Sequence, residues 1–366
     1  MDLQQAATIS GAAVLATWAH YRFWSWRFRV RPEEDELVRA ETRDGWSLAL
    51  ARRRPRGTPQ PVPVLFVHGI AANHLCLDFP LDGLSLPAFL AEAGFDCFSL
   101  DLRGHGRSRP ARRGAARRWD VDTYATEDVP AALDAIRRAT GSDRVFYVGH
   151  SQGALIGMIG CQTFGDRLAG LVAMAGPIHF REGSAAARLV RFGFAAIGKL
   201  NRFLARSLAP FSGWFHPPVS QIVINTHNVA PPVYRRVLAN VVENINAGVL
   251  QQFGAWIRDD AFRSRDDAVD YRAGLARCRQ PALFVGAALD QLAPPDVVAA
   301  SHALWGGEKD MFIAGIDTGC GCDYGHTDIL LGRSAPAEVF PRVRDWLAAH
   351  EPQSEHSAPL AEPTTR

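Results

Sequence analysis

The sequence predicts an α/β fold: a mostly parallel, doubly wound sheet with a helical cap inserted between two core strands. Three observations support this. Residues 145–148, Val-Phe-Tyr-Val, are a short apolar run followed at once by Gly149-His-Ser-Gln-Gly153 and a small-residue stretch to 161. That reads as buried parallel strand, abrupt turn and helix. Around it, strand-length apolar runs alternate with helical patterns through short connections, the mark of parallel winding. Between about 177 and 274 the alternation stops, and aromatic-rich helical stretches near 186–208 and 233–257 replace it.

Taken in order, residues 3–21 are uncharged and are followed by Arg22-Phe-Trp-Ser-Trp-Arg-Phe-Arg-Val-Arg31. The alanine-rich centre is marginal for the ~20 residues of a spanning helix. A secretory leader would open on positive residues, and this stretch does not. Aromatic residues ahead of four arginines suit an interfacial anchor with its basic flank inside. Residues 1–35 are therefore expected either to associate with a membrane surface, the remainder lying on the cytoplasmic side, or to pack as a helix on a cytoplasmic domain.

Core segments are expected over 36–176 and 276–350, flanking a cap at 177–275. Residues 36–51 read as a hairpin turning at Asp44-Gly45. Strands follow at 61–67, 94–100, 145–148, 170–175, 281–286 and 311–314, with helices at 84–93, 122–140, 152–164, 296–305 and 336–349. The cap holds Phe192, Phe194, Phe203, Phe211, Trp214, Phe215, Phe253 and Trp256. Most should pack the cap onto the core, and a few should line an apolar pocket above Ser151. Residues 351–366 are polar and proline-bearing and are expected to be disordered.

With 366 residues, 47% of them hydrophobic, the chain can bury one large core with an insertion. A formal net charge of +2 gives no reason to expect nucleic acid as a partner. The segment 103–118 holds seven arginines and reads as a solvated loop, or as a face toward anionic lipid if the N-terminus is anchored. The six cysteines are scattered. Cys320-Gly-Cys322 lies near His326, but no second Cys/His pair at zinc spacing accompanies it, so neither a metal site nor a disulfide framework is expected.

The chemistry is expected at Ser151. A serine hydroxyl needs a base within hydrogen-bond reach. His326, in a Gly/Asp-rich loop after the last strand, is the best placed. His150 belongs to the turn itself, His68 and His105 sit in glycine turns, and His179 opens the cap as a candidate substrate contact. An acid must orient the base. Asp290 ends a strand, and the order Ser151, Asp290, His326 favours it over Asp323 and Asp328. The backbone N–H groups of Gln152 and Ile70 are the candidate donors to a developing oxyanion.

These residues resemble the α/β-hydrolase superfamily from about 37 to 350, and within it acid-lipase-type and polyhydroxyalkanoate-synthase-like members. The matching stretches are Thr42-Arg-Asp-Gly45, His68-Gly-Ile70, Ala93-Gly-Phe-Asp96, Asp101-Leu-Arg-Gly-His-Gly106, Gly149-His-Ser-Gln-Gly153 and Tyr324-Gly-His-Thr-Asp328. The resemblance implies hydrolysis of a small-molecule or lipid ester without metal or cofactor, under a cap that shapes an acyl pocket. Ser151 stands where polyester synthases use cysteine and where dehalogenases and epoxide hydrolases use aspartate, which argues against those activities. An acyltransferase or thioesterase would use the same triad, and a catalytically silent binding protein would usually lack one of its members.

Overall fold

The computed structural model describes residues 3–180, 183–188, 198–213, 216 and 218–351. Helix α1 (Leu3–Arg27) leads into the hairpin β1 (Glu36–Glu41) and β2 (Trp46–Arg53), whose turn holds Gly45 at φ 94°. The first half of the core continues as β3 (Val64–Val67), α2 (Leu86–Glu92), β4 (Cys97–Asp101), the two-residue β5 (Arg109–Pro110), α3 (Val129–Thr140), β6 (Val145–His150), α4 (Gln152–Thr163) and β7 (Leu168–Met174). A helical insertion holds α5 (Asn201–Leu208), α6 (Pro231–Asn240) and α7 (Ala247–Asp259), with one-turn helices between them. The core resumes with β8 (Ala282–Ala287), α8 (Pro295–Leu304), β9 (Lys309–Ala314) and α9 (Phe340–Ala349).

The sheet order is β1-β2-β4-β3-β6-β7-β8-β9, with β5 on β2. Pairs from β4 through β9 are parallel, whereas β1, β2 and β5 pair antiparallel. The central strands are buried end to end because helices cover both faces of a parallel sheet. Each fully buried Leu65, Phe66, Phe146 or Val148 contributes about 2 kcal/mol of transfer free energy. The chain leaves β3 toward β4 on one side and leaves β6 toward β7 on the other. This is a topological switch point, and the crevice it opens lies past the ends of β3 and β6.

Several elements depart from the sequence expectation. The helix expected over 233–257 is two helices, α6 and α7. Between them the Glu243 N–H donates to Ala71 O at 2.8 Å, which holds the chain out of helical geometry, and Asn246 caps α7. The last helix is split at Val339, with Pro341 in the first turn of α9. The expected helix at 122–140 enters through one wide turn, Tyr124–Asp128, before α3. Arg103 is no part of a solvated loop: its side chain is fully buried between Asp128 (2.7 Å) and Asp44. Arg109, Arg112, Arg113, Arg117 and Arg118 are exposed as expected.

The aromatic residues of the insertion divide. Phe253 and Trp256 are buried with Phe180 and Phe262, whereas Phe203 and Phe211 face outward against α1. Phe192, Phe194, Trp214, Phe215 and the expected disordered tail at 352–366 lie outside the described residues. Among the described residues no helix is long and apolar enough to cross a membrane.

Candidate active site

Local geometry at the end of β6 sets the position of Ser151. Its φ of 56° and ψ of −118° are strained for a residue with a side chain. The turn is possible only because its neighbours are glycine. A Cβ on Gly153 would lie 2.1 Å from Val67 O, and one on Gly149 would lie 2.4 Å from the Gly153 backbone. The Ser151 N–H donates to Met174 O at 2.7 Å, and the buried Tyr147 hydroxyl donates to Gly153 O at 2.9 Å. The turn is thus tied to the neighbouring strand β7 and to β6 itself.

The loop after β3 runs beside the same turn. A Cβ on Gly69 would lie 3.1 Å from Ser151 Cβ, so Ile70 follows a point of near contact with the serine. Gln152 opens α4, where backbone N–H groups have no intrahelical acceptor. Both candidate oxyanion donors therefore border Ser151. Beyond Ile70 the loop is fixed by the insertion. Ala71 O accepts from Glu243 N–H, and the Asn73 amide donates to Asn240 O (2.8 Å) and to Glu243 Oε1 (3.0 Å). These contacts were not legible in the sequence, where Asn73, Asn240 and Glu243 carry no motif.

Asp290 follows β8 and is oriented by the two N–H groups it caps. Its Oδ1 accepts from Leu292 N–H at 2.7 Å and from Ala293 N–H at 2.9 Å. Its Oδ2 lies 2.7 Å from Nδ1 of His326, and both side chains are buried. Nδ1 therefore carries the proton and donates it, leaving Nε2 as the basic nitrogen. Among the described residues no hydrogen bond joins Ser151 Oγ to His326. Such contacts are often long in ligand-free sites and tighten on substrate binding.

Asp323 and Asp328 do other work. The Asp323 carboxylate accepts from Ile316 N–H, and that of Asp328 accepts from Gly325 N–H, Asn225 N–H and the Asn228 amide. They shape the His326 loop and dock it on the insertion. The remaining histidines are also engaged. His150 Nε2 donates to His326 O at 2.9 Å, supporting that loop from below, while its buried Nδ1 has no partner. Burial, with His326 beside it, brings the His150 pKa down to about 3, so it stays neutral. His68 accepts from Leu102 N–H and donates to Gly69 O, and burial brings it to about 3 as well. His105 stands edge-on to His68 at 5.1 Å, and His179 lies 3.2 Å from Asp260 near the surface.

The Asp101-Leu-Arg-Gly-His-Gly106 stretch is structural. Asp101 accepts from His74 N–H, from His74 Nδ1 and from Arg107 N–H. Gly106, at φ 49°, is needed there because a Cβ would lie 2.2 Å from that carboxylate. Among the described residues no group of three or more His, Cys, Asp or Glu side chains is gathered as a metal site.

Comparison with known proteins agrees with this architecture. Human lysosomal acid lipase/cholesteryl ester hydrolase is 37% identical over 138 residues, which is 35% of this chain and 34% of that relative. The match thus spans about a third of the length of this curated relative. A hydrolase from Pseudomonas aeruginosa PA01 superposes with a TM-score of 0.57 at 20% identity, covering 87% of this chain and 99% of its own. A thermophilic esterase from Thermogutta terrifontis gives 0.56 at 18% identity, covering 87% and 100%. The family model described as alpha/beta hydrolase fold matches residues 62–315, and the chain belongs to that family.

Proposed function

We propose that the protein hydrolyses carboxylic esters with an apolar acyl group through an acyl-enzyme on Ser151. The observation behind this reading is the buried Asp290–His326 pair at 2.7 Å, its histidine on the loop that His150 ties to the strained turn bearing Ser151. The names of its relatives, a lipase and an esterase, point the same way.

His326 Nε2 takes the Ser151 proton as Oγ attacks the ester carbonyl. Asp290 stabilises the imidazolium and holds its orientation. The Ile70 and Gln152 amides stabilise the oxyanion, each such donor supplying about 10²–10³ in rate. The imidazolium then protonates the leaving alcohol, and water, deprotonated by the same nitrogen, releases the acid. The insertion is read as the cap of the site, gripping the Ile70 loop through residues 240–243 and the His326 loop through Asn225 and Asn228. Access from a membrane surface through residues 1–35 belongs to this reading, with α1 lying at the interface.

The test is labelling with a fluorophosphonate, followed by a p-nitrophenyl ester chain-length series. Wild type should label and turn over esters, and Ser151→Ala should do neither. A folded wild type that neither labels nor cleaves any ester would overturn the reading.

A further inference from the structure

We infer that α1, together with the edge of the insertion it packs on, is a docking platform for an anionic lipid surface. One face of α1 is committed to the protein. Tyr21 stacks on Phe203 at 5.2 Å and His20 on Phe211 at 6.0 Å, while His20 Nε2 lies 2.9 Å from Ser207 O. Trp24 and Phe28 pack with Ala209 and Ala239. The opposite face, recurring at helical spacing through Val14, Trp18, Arg22 and Trp26, is open, with Trp18 61% and Trp26 70% exposed. From Gly11 to Ala19 the helix is exposed all round, projecting beyond the body of the protein. Exposed apolar surface of this extent marks an interaction site.

Charge decides the occupant. Residues 3–32 contain four arginines and no acid. Trp26, Arg27, Arg29 and Arg31 line an open concavity of about 640 Å³, and the Arg22 guanidinium sits 5.8 Å from the Trp18 ring. Among the described residues none of these arginines pairs with a carboxylate. Of the acids that follow, Glu34 is occupied by Arg107, Asp35 by Arg56, and Glu36 by Arg52 and Arg54, which leaves the exposed Glu33 carboxylate as one negative charge beside four arginines. Indoles beside uncompensated guanidinium groups match the carbonyl and phosphate levels of an anionic bilayer. A second copy of the chain fits poorly, because a two-fold contact would set the same unpaired arginines against each other.

The full chain is sedimented with vesicles of phosphatidylcholine alone and of phosphatidylcholine mixed with phosphatidylglycerol, at low and high salt. Binding is expected to the anionic vesicles, to weaken with salt, and to shift tryptophan emission to the blue. Arg27→Gln with Arg29→Gln and Arg31→Gln should lower partitioning about 100-fold, roughly fivefold per arginine. Trp18→Glu with Trp26→Glu should abolish it. No binding by the folded wild type, or unchanged binding by the arginine variant, overturns the proposal. So does a wild-type dimer that Trp18→Glu converts to a monomer without any vesicle binding. All substituted side chains are exposed and outside the triad, so fluorophosphonate labelling in solution should be unchanged. Failure of labelling with intact vesicle binding would instead count against ester hydrolysis.

Discussion

Asp290→Asn tests the proposed chemistry most sharply, because the structure dictates which way the new amide must face. Asp290 Oδ1 accepts from two backbone N–H groups, at 2.7 and 2.9 Å. An asparagine keeps its carbonyl oxygen on those donors, since turning it round would set N–H against N–H at two short contacts. Its NH₂ group then occupies the position of Oδ2, 2.7 Å from His326 Nδ1. That group donates, so Nδ1 must accept and the imidazole proton moves to Nε2. The base is left in the wrong tautomer with its geometry intact. Losing the correct tautomer and the carboxylate costs about 10⁴ in kcat, equivalent to about 5 kcal/mol of transition-state stabilisation. The assay is kcat and KM on a short soluble ester, alongside thermal unfolding. KM and stability should change little because the amide is isosteric. A variant retaining kcat within tenfold of wild type would refute the assigned role of Asp290.

Further expectations follow from single contacts. Ser151→Gly removes a side chain from a backbone at φ 56°, relieving about 1–3 kcal/mol of strain against a smaller cost for glycine. Chemical denaturation should show a net gain of about 1 kcal/mol in an inactive protein, and a loss would refute the strain argument. Gly153→Ala drives a Cβ to 2.1 Å from Val67 O, backbone that cannot yield, and should cost about 3 kcal/mol or more. Gly254→Ala, in α7 with no atom within 4 Å, should instead gain about 0.5–1 kcal/mol. Burial opposes protonation of His74, but Asp101 at 2.8 Å outweighs it and raises the pKa, while Asp101 is held well below the usual carboxylate range. A raised histidine stabilises fully below its unfolded value and loses this as pH rises through its folded value; a depressed carboxylate does so above its own and loses it on acidification. The pair should therefore contribute most between about pH 4 and 6.5. His74→Gln should remove about 3 kcal/mol near pH 6 and flatten the decline above it.

Legibility followed the range of the interactions. The Ser151 turn is encoded within nine residues, as strand, glycine-flanked serine and helix, and could be read directly. Asp290 and His326 were reachable because each lies in the segment that follows a strand, in a fold whose chain order constrains the partners. Asp323 and Asp328 were set aside on chain order, and the sequence could not supply what the structure shows of them: they bind backbone N–H groups of their own loop and the insertion. What escaped was contact across long separations. The break between α6 and α7 depends on Ala71, 172 residues upstream of Glu243. Arg103 reads as one arginine among seven until Asp44 and Asp128 are folded around it. His74 gave no local sign of its pairing with Asp101, because the pair joins a loop after β3 to the end of β4.

The same long contacts set the precision of the site. Ile70 is fixed on one side by β3 and on the other by Ala71 and Asn73, which are held by Glu243 and Asn240. Asn240 also accepts from Val30 N–H at 3.2 Å and donates to Phe28 O at 2.9 Å. One side chain on α6 therefore joins the segment leaving α1 to a helix whose end holds the loop of a candidate oxyanion donor. The insertion grips the His326 loop as well, through Asn225 and Asn228. Sub-ångström positioning of donors and base is what such chemistry demands. In this chain that positioning depends on groups from a segment that supplies no member of the proposed triad.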